Sequence, residues 1–170
     1  MAKHVKKRIK FILAMTLVVV LTLSLAACGG GKKMAQIGSE LGLGELDGRT
    51  VASGTYRNST GYRITYTTIE VKGSDVLNTI KESSDWQDMP LSDELNLTVY
   101  GMSNGQYVKA PILHDGDDEA IFPVVTEGYY RVIDMDYLET ADEEEKSKYD
   151  YIFAIYDTED DKLYYCKFAL

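Results

Sequence analysis

The chain has 170 residues, with 27 acidic and 18 basic side chains, a formal charge of −9, two cysteines and two histidines. A nucleic-acid interface is excluded as the default, because phosphate recognition requires a net basic footprint. Flat adhesion to anionic head groups is disfavoured for the same reason, since such surfaces attract basic segments and repel acidic ones.

The first ten residues carry Lys3, Lys6, Lys7, Arg8 and Lys10 without an acid, followed by a largely apolar run from Phe11 to Ala27 and then Cys28. A basic start, an apolar middle and small residues before a cut site form the layout of an export signal. Leu25-Ala26-Ala27-Cys28 resembles the lipobox of bacterial lipoproteins. That resemblance implies cleavage before Cys28 and a diacylglyceryl group on its thiol, so residues 1–27 are expected to be a lipoprotein signal peptide. Two long acyl chains, at about 0.8 kcal/mol per methylene, hold on the order of 20 kcal/mol. Two alternatives stay open. Phe11 to Ala27 is at the lower edge of the roughly 17–25 residues that span a bilayer and could remain as an uncleaved anchor, or the chain could be cut and released with Cys28 unmodified.

Beyond residue 28, 13 basic side chains stand against 27 acidic ones, a formal charge of −14. Gly29-Gly30-Gly31-Lys32-Lys33 opens a glycine-dotted stretch without sustained period, and 28–47 is expected to be the lipidated cysteine and a flexible tether reaching ~25 Å. A weak helix over Met34 to Leu46 is the alternative, with Gly38, Gly42 and Gly44 each counting against it. Residues 48–170 then suffice for a single core but not comfortably for two.

Tyr62, Ile64, Tyr66 and Thr68 alternate with Arg63, Thr65 and Thr67, predicting a half-buried strand that Gly73 ends. Ser74 or Asp75 can cap a helix presenting Val76, Leu77 and Ile80 and ending before Pro90, with Trp86 docking it on a sheet. Leu95 to Tyr100 reads as a second strand, Tyr107 to Leu113 as a third, and Ala120 to Val125, containing Pro123, as a short edge strand. Tyr129 to Met135 and Tyr149 to Tyr156 are stronger strand candidates. Between them, Thr140-Ala141-Asp142-Glu143 has capping-box spacing before a short solvated helix. Lys162 to Phe168 follows the turn Asp157-Thr158-Glu159-Asp160-Asp161, predicting a C-terminal β-hairpin. The expected class is α+β, an antiparallel sheet packed against one main helix.

Asp85-Trp86-Gln87-Asp88-Met89-Pro90-Leu91-Ser92, Glu127-Gly128-Tyr129-Tyr130, and Ala154-Ile155-Tyr156-Asp157-Thr158 with Leu163-Tyr164-Tyr165 resemble a family of small uncharacterised proteins from Gram-positive bacteria. The resemblance spans roughly 43–168 and implies no particular activity. It departs where relatives carry a His- and Gly-rich segment near the first strand, because this chain has Tyr56-Arg57-Asn58-Ser59-Thr60-Gly61-Tyr62 there.

After residue 28 there is one histidine, His114, and, with Cys28 lipidated, one thiol, Cys166. No common structural zinc site assembles from that pair. His114, in Leu113-His114-Asp115-Gly116-Asp117-Asp118-Glu119, reads as a turn residue, and no nucleophile-elbow pattern supplies it with a serine. Cys166 alternates with Tyr164 and Phe168 and reads as a small core hydrophobe. Asp115 to Glu119, Asp134 with Asp136 and Glu139, and Asp157 to Asp161 lack EF-hand spacing and read as solvated turns. Glycine-rich phosphate loops and dinucleotide fingerprints are absent, so no cofactor is expected. All 13 tyrosines follow Cys28. They read first as sheet packing, with an exposed contact surface as the alternative.

The expected activity is that of a membrane-anchored extracytoplasmic lipoprotein. Its domain would be a non-enzymatic binding or interaction module for a protein or another envelope component. The alternative is a small envelope-acting hydrolase using carboxylates or His114. Ligand capture for a transporter fits less well, because 123 residues are few for a two-lobed binding protein.

Overall fold

Tyr151–Tyr156 and Leu163–Phe168 are nearly unbroken apolar runs, and in a strand successive side chains point to opposite faces. Such runs require cover on both sides of the sheet. The computed structural model, which describes residues 31–57, 63–103, 108–114 and 119–169, provides it. Its elements begin with helix α1 (31–40), strands β1 (Gly48–Arg57) and β2 (Arg63–Val71), helix α2 (Asp75–Glu82) and the two-residue strand β3 (Gln87–Asp88). Helix α3 (Asp93–Tyr100), short strands β4 (Met102–Ser103) and β5 (Val108–Lys109), and strand β6 (Gly128–Asp134) follow. After a 3-10 turn at Met135–Tyr137 come the one-turn helix α4 (Glu143–Lys146) and strands β7 (Tyr151–Asp157) and β8 (Lys162–Phe168).

Six strands pair antiparallel in the open order β1-β2-β8-β7-β6-β3, while β4 and β5 form a separate pair. The fold is therefore α+β, and β7 and β8 make the expected terminal hairpin, with Tyr156 opposite Leu163. Ile152, Ala154, Tyr156, Leu163 and Tyr165 face a cluster with Ile37 and Leu41 of α1, Val76 and Ile80 of α2, and Trp86. Phe153, Ile155, Tyr164, Cys166 and Phe168 face the other way, toward Val99 of α3 and Leu113, Phe122 and Val125. Helices stand on both faces, α1 and α2 on one and α3 on the other. Trp86 is buried beside α2 as its size demands.

The expected tether is corrected from residue 31 onward. Residues 31–40 are helical, and Ile37, Leu41, Leu43 and Leu46 are buried. The glycines that argued against a helix have other uses. Gly42, at φ +65°, ends α1 in a Schellman motif, with Leu43 N–H donating to Gly38 O at 2.8 Å and Gly42 N–H to Ser39 O at 3.2 Å. Gly38 permits close packing, since a Cβ there would lie 2.0 Å from Gly44 O. Arg131 completes the helix end, with Nη1 donating to Leu41 O at 2.6 Å and Nη2 pairing with Asp85 at 2.6 Å.

Four further expectations are corrected. Residues 95–100 belong to α3 and not to a strand. Ser92 accepts the Leu95 N–H at 3.3 Å as N-cap, and Leu95 and Val99 share one helix face at spacing four. Residues 120–125 form no strand. Ala120 makes an isolated bridge to His114, and Tyr100 holds the segment by donating to Pro123 O and accepting from Val125 N–H. Helix α4 is capped by Asp142, whose Oδ1 accepts Glu145 N–H at 2.6 Å, two residues after the expected Thr140. Of the expected third strand only Val108–Lys109 is extended among the described residues, and Tyr107 lies outside them. Strand β1 went unforeseen because its side chains are nearly all exposed and carry no apolar alternation.

Leu41 is fully buried. Replacing it with alanine should lower the unfolding free energy by about 2–5 kcal/mol, measured by denaturant titration. Loss under 0.5 kcal/mol, the range of ordinary surface changes, would return this segment to a tether.

Candidate functional site

Strands β2 and β8 pair so that Thr65 lies opposite Lys167 and Thr67 opposite Tyr165. All four side chains line a cavity of about 100 Å³ beneath α1. Helix α1 contributes Lys33, Gln36 and Ile37 to the lining, and the α4 region contributes Glu145 and Tyr149. The Asp142 cap sets the position of Glu145, one turn before Tyr149 enters the core.

A buried charge network forms one wall. Lys167 Nζ donates to Glu40 Oε1 at 2.8 Å and to Glu145 Oε2 at 2.7 Å. The Lys167 and Glu40 side chains are only 6% and 1% exposed, whereas Glu145 is 30% exposed. Gln36 Nε2 donates to Glu40 at 2.9 Å and to Glu145 at 3.2 Å, and Tyr165 donates its hydroxyl to Glu40 Oε2. Burial, and then the negative Glu40 carboxylate, push the Tyr165 pKa upward. Thr65 and Tyr149 share a hydrogen bond of 2.7 Å between hydroxyls. The Thr67 hydroxyl is buried without a hydrogen-bond partner.

Of the cysteines, histidine and acids singled out from the sequence, none of those described lines the cavity. Cys28 is outside the described residues, as are Asp115, Asp117 and Asp118. His114 is half-buried at its bridge to Ala120 and does not line the cavity. Cys166 is buried in the opposite cluster beside Tyr164 and Phe168, and burial pushes its thiol pKa up. Acids of the other two clusters order turns: Asp134 Oδ1 accepts Asp136 N–H, and Asp157 Oδ1 accepts the N–H groups of Glu159 and Asp160. Among the described residues, Tyr137 is the sole exposed tyrosine, so the tyrosines pack and build no contact surface there.

Glu40, Lys167 and Glu145 were not singled out from the sequence. One signal existed. Lys167 has the strand parity of Leu163 and Tyr165, and a lysine on a buried face demands an acidic partner. No family model, curated protein or solved structure matches the chain.

Removing Lys167 strands two carboxylates, one fully buried. Lys167→Met should cost about 3–5 kcal/mol, and adding Glu40→Leu should restore most of it. A double variant no more stable than the single one by denaturant titration would contradict the pairing. The Tyr156 hydroxyl, buried and donating to Asp161 at 3.1 Å, has its pKa raised by burial and then by that carboxylate, from 10.0 to about 12. A raised folded-state value stabilises the protein fully below pH 10 and is lost as pH rises through about 12. The unfolding midpoint should therefore fall over that window, with tyrosinate absorbance rising as structure is lost. A flat midpoint would contradict the burial.

Proposed function

We propose that the chain is a lipid-anchored protein on the extracytoplasmic face of the cell membrane, attached through Cys28, whose folded part is a non-enzymatic binding module for a protein or another envelope component. The observation that carries the anchor is the order of basic start, apolar run, Leu25-Ala26-Ala27 and Cys28 within 28 residues. Two residues, Gly29 and Gly30, separate Cys28 from the first described residue of α1. Three virtual bonds span at most about 11 Å, less than half the reach of the tether expected from sequence. Anchored this way, the domain rests against its membrane.

Binding is favoured over turnover by the commitments of the polar groups. Glu40 and Glu145 are both engaged by Lys167 and Gln36, and the Thr65 and Tyr149 hydroxyls bond each other. The Cys166 thiol is on the far side of the sheet, with its pKa raised. None of these is a nucleophile held against a base in the manner of covalent catalysis.

Cells supplied with labelled fatty acid should label the chain, and Cys28→Ala should abolish the label and leave a precursor of higher mass. Undiminished labelling of that variant overturns the anchor. Hydrolysis of envelope material that is lost in Glu145→Gln or His114→Ala would replace the binding reading.

A further inference from the structure

The cavity under α1 uses its hydrogen-bonding capacity unevenly. Lys167 and Tyr165 on the lining both donate to Glu40. Two groups on the lining have no hydrogen-bond or ion-pair partner among the described residues. The Thr67 hydroxyl is fully buried and unbonded. Lys33 is half-buried on α1, and burial lowers its pKa. Glu145 is the cavity carboxylate that keeps access to solvent, at 30% exposure against 1% for Glu40.

Charge balance restricts what fits. When ionised, Glu40, Glu145 and Lys167 carry one net negative charge, and Lys33 offsets it, so the set is neutral. A bare anion or cation would leave it charged where solvation is poor. A solute with both charges would not. We propose that this cavity binds a small zwitterion of the α-amino acid class, with its carboxylate on Lys33 and the Thr67 hydroxyl and its ammonium on Glu145. The 100 Å³ volume suits a solute with little or no side chain, well under the roughly 300–1,000 Å³ of sites for drug-sized ligands. This assignment rests on the binding half of the function proposed above and is independent of the anchor at Cys28.

The test is a methyl NMR titration of the full chain in detergent micelles, following the Thr65 and Thr67 methyl groups. Glycine is the probe, with sodium acetate and methylammonium chloride as single-charge controls at constant ionic strength. Glycine should shift both signals saturably with a Kd on the order of 1 mM. Lys33→Met, at a part-exposed helix position, should keep the thermal midpoint and weaken binding about tenfold or more. Thr67→Val, followed through Thr65, should weaken it several-fold, about 3-fold or more. No saturable shift, equal binding of either control ion, or unchanged affinity in Lys33→Met overturns the proposal and leaves an ordinary solvated cavity. Fatty-acid labelling at Cys28 reads the anchor separately, so the failure of one is not mistaken for failure of the other.

Discussion

An ammonium group in a protein interior is tolerated only with a partner, and the partner of Lys167 comes from 127 residues away. Lys167 is on β8, near the middle of the sheet, on the face that also carries Leu163 and Tyr165. Its requirement for Glu40 brings α1 across β2 and β8. Once there, α1 contributes Ile37 and Leu41 to the core, and the chain leaving it adds Leu43 and Leu46. Arg131, reaching from β6 to the Leu41 carbonyl just after α1, holds the other end of the same helix. The amino-terminal segment is thus part of the domain, and the cavity exists because that helix forms one side of it.

The sheet beneath has two unlike edges. Strand β3 is two residues long and leads into Pro90, whereas β1 runs for ten residues beside β2. Arg49 pairs with Glu70 at 2.6 Å, Thr55 meets Thr65 at 3.0 Å, and Tyr56 stacks on Tyr66 at 5.8 Å. Because the ion pair is exposed it contributes little, so β1 depends chiefly on its backbone ladder. The interior strands β7 and β8 are the opposite case, buried on both faces by two separate clusters. Helix α1 serves two proposed roles, leading from the lipidation site at Cys28 and lining the cavity with Lys33 and Gln36.

Legibility followed the range of the interactions involved. Ser74 and Val76, Leu77 and Ile80 marked α2, and Gly73, at φ +77°, ended β2 where expected. Local pattern misled at Leu95-Asn96-Leu97-Thr98-Val99, which alternates like a strand yet follows a serine cap. Period two and period four overlap in so short a stretch, and burial of Val99 in the cluster that holds Phe122 and Tyr164 settles the matter. Gly38 was counted by its intrinsic propensity, when its use is to let Gly44 approach. The cavity was still less legible, because its groups come from residues 33 to 167 and no short motif joins them.

The linear chain was enough for the α+β class, the β7–β8 hairpin and the inward placement of Cys166, because alternation and turn chemistry act over neighbouring residues. Its acidic charge and its resemblance to a lipobox are likewise properties of composition and order. Tertiary structure decided that both faces of the sheet are covered, that residues 31–46 pack as core, and that Glu40, Glu145 and Lys167 meet. Each of those outcomes depends on which distant segment satisfies a buried group, and that is settled only when the whole chain packs.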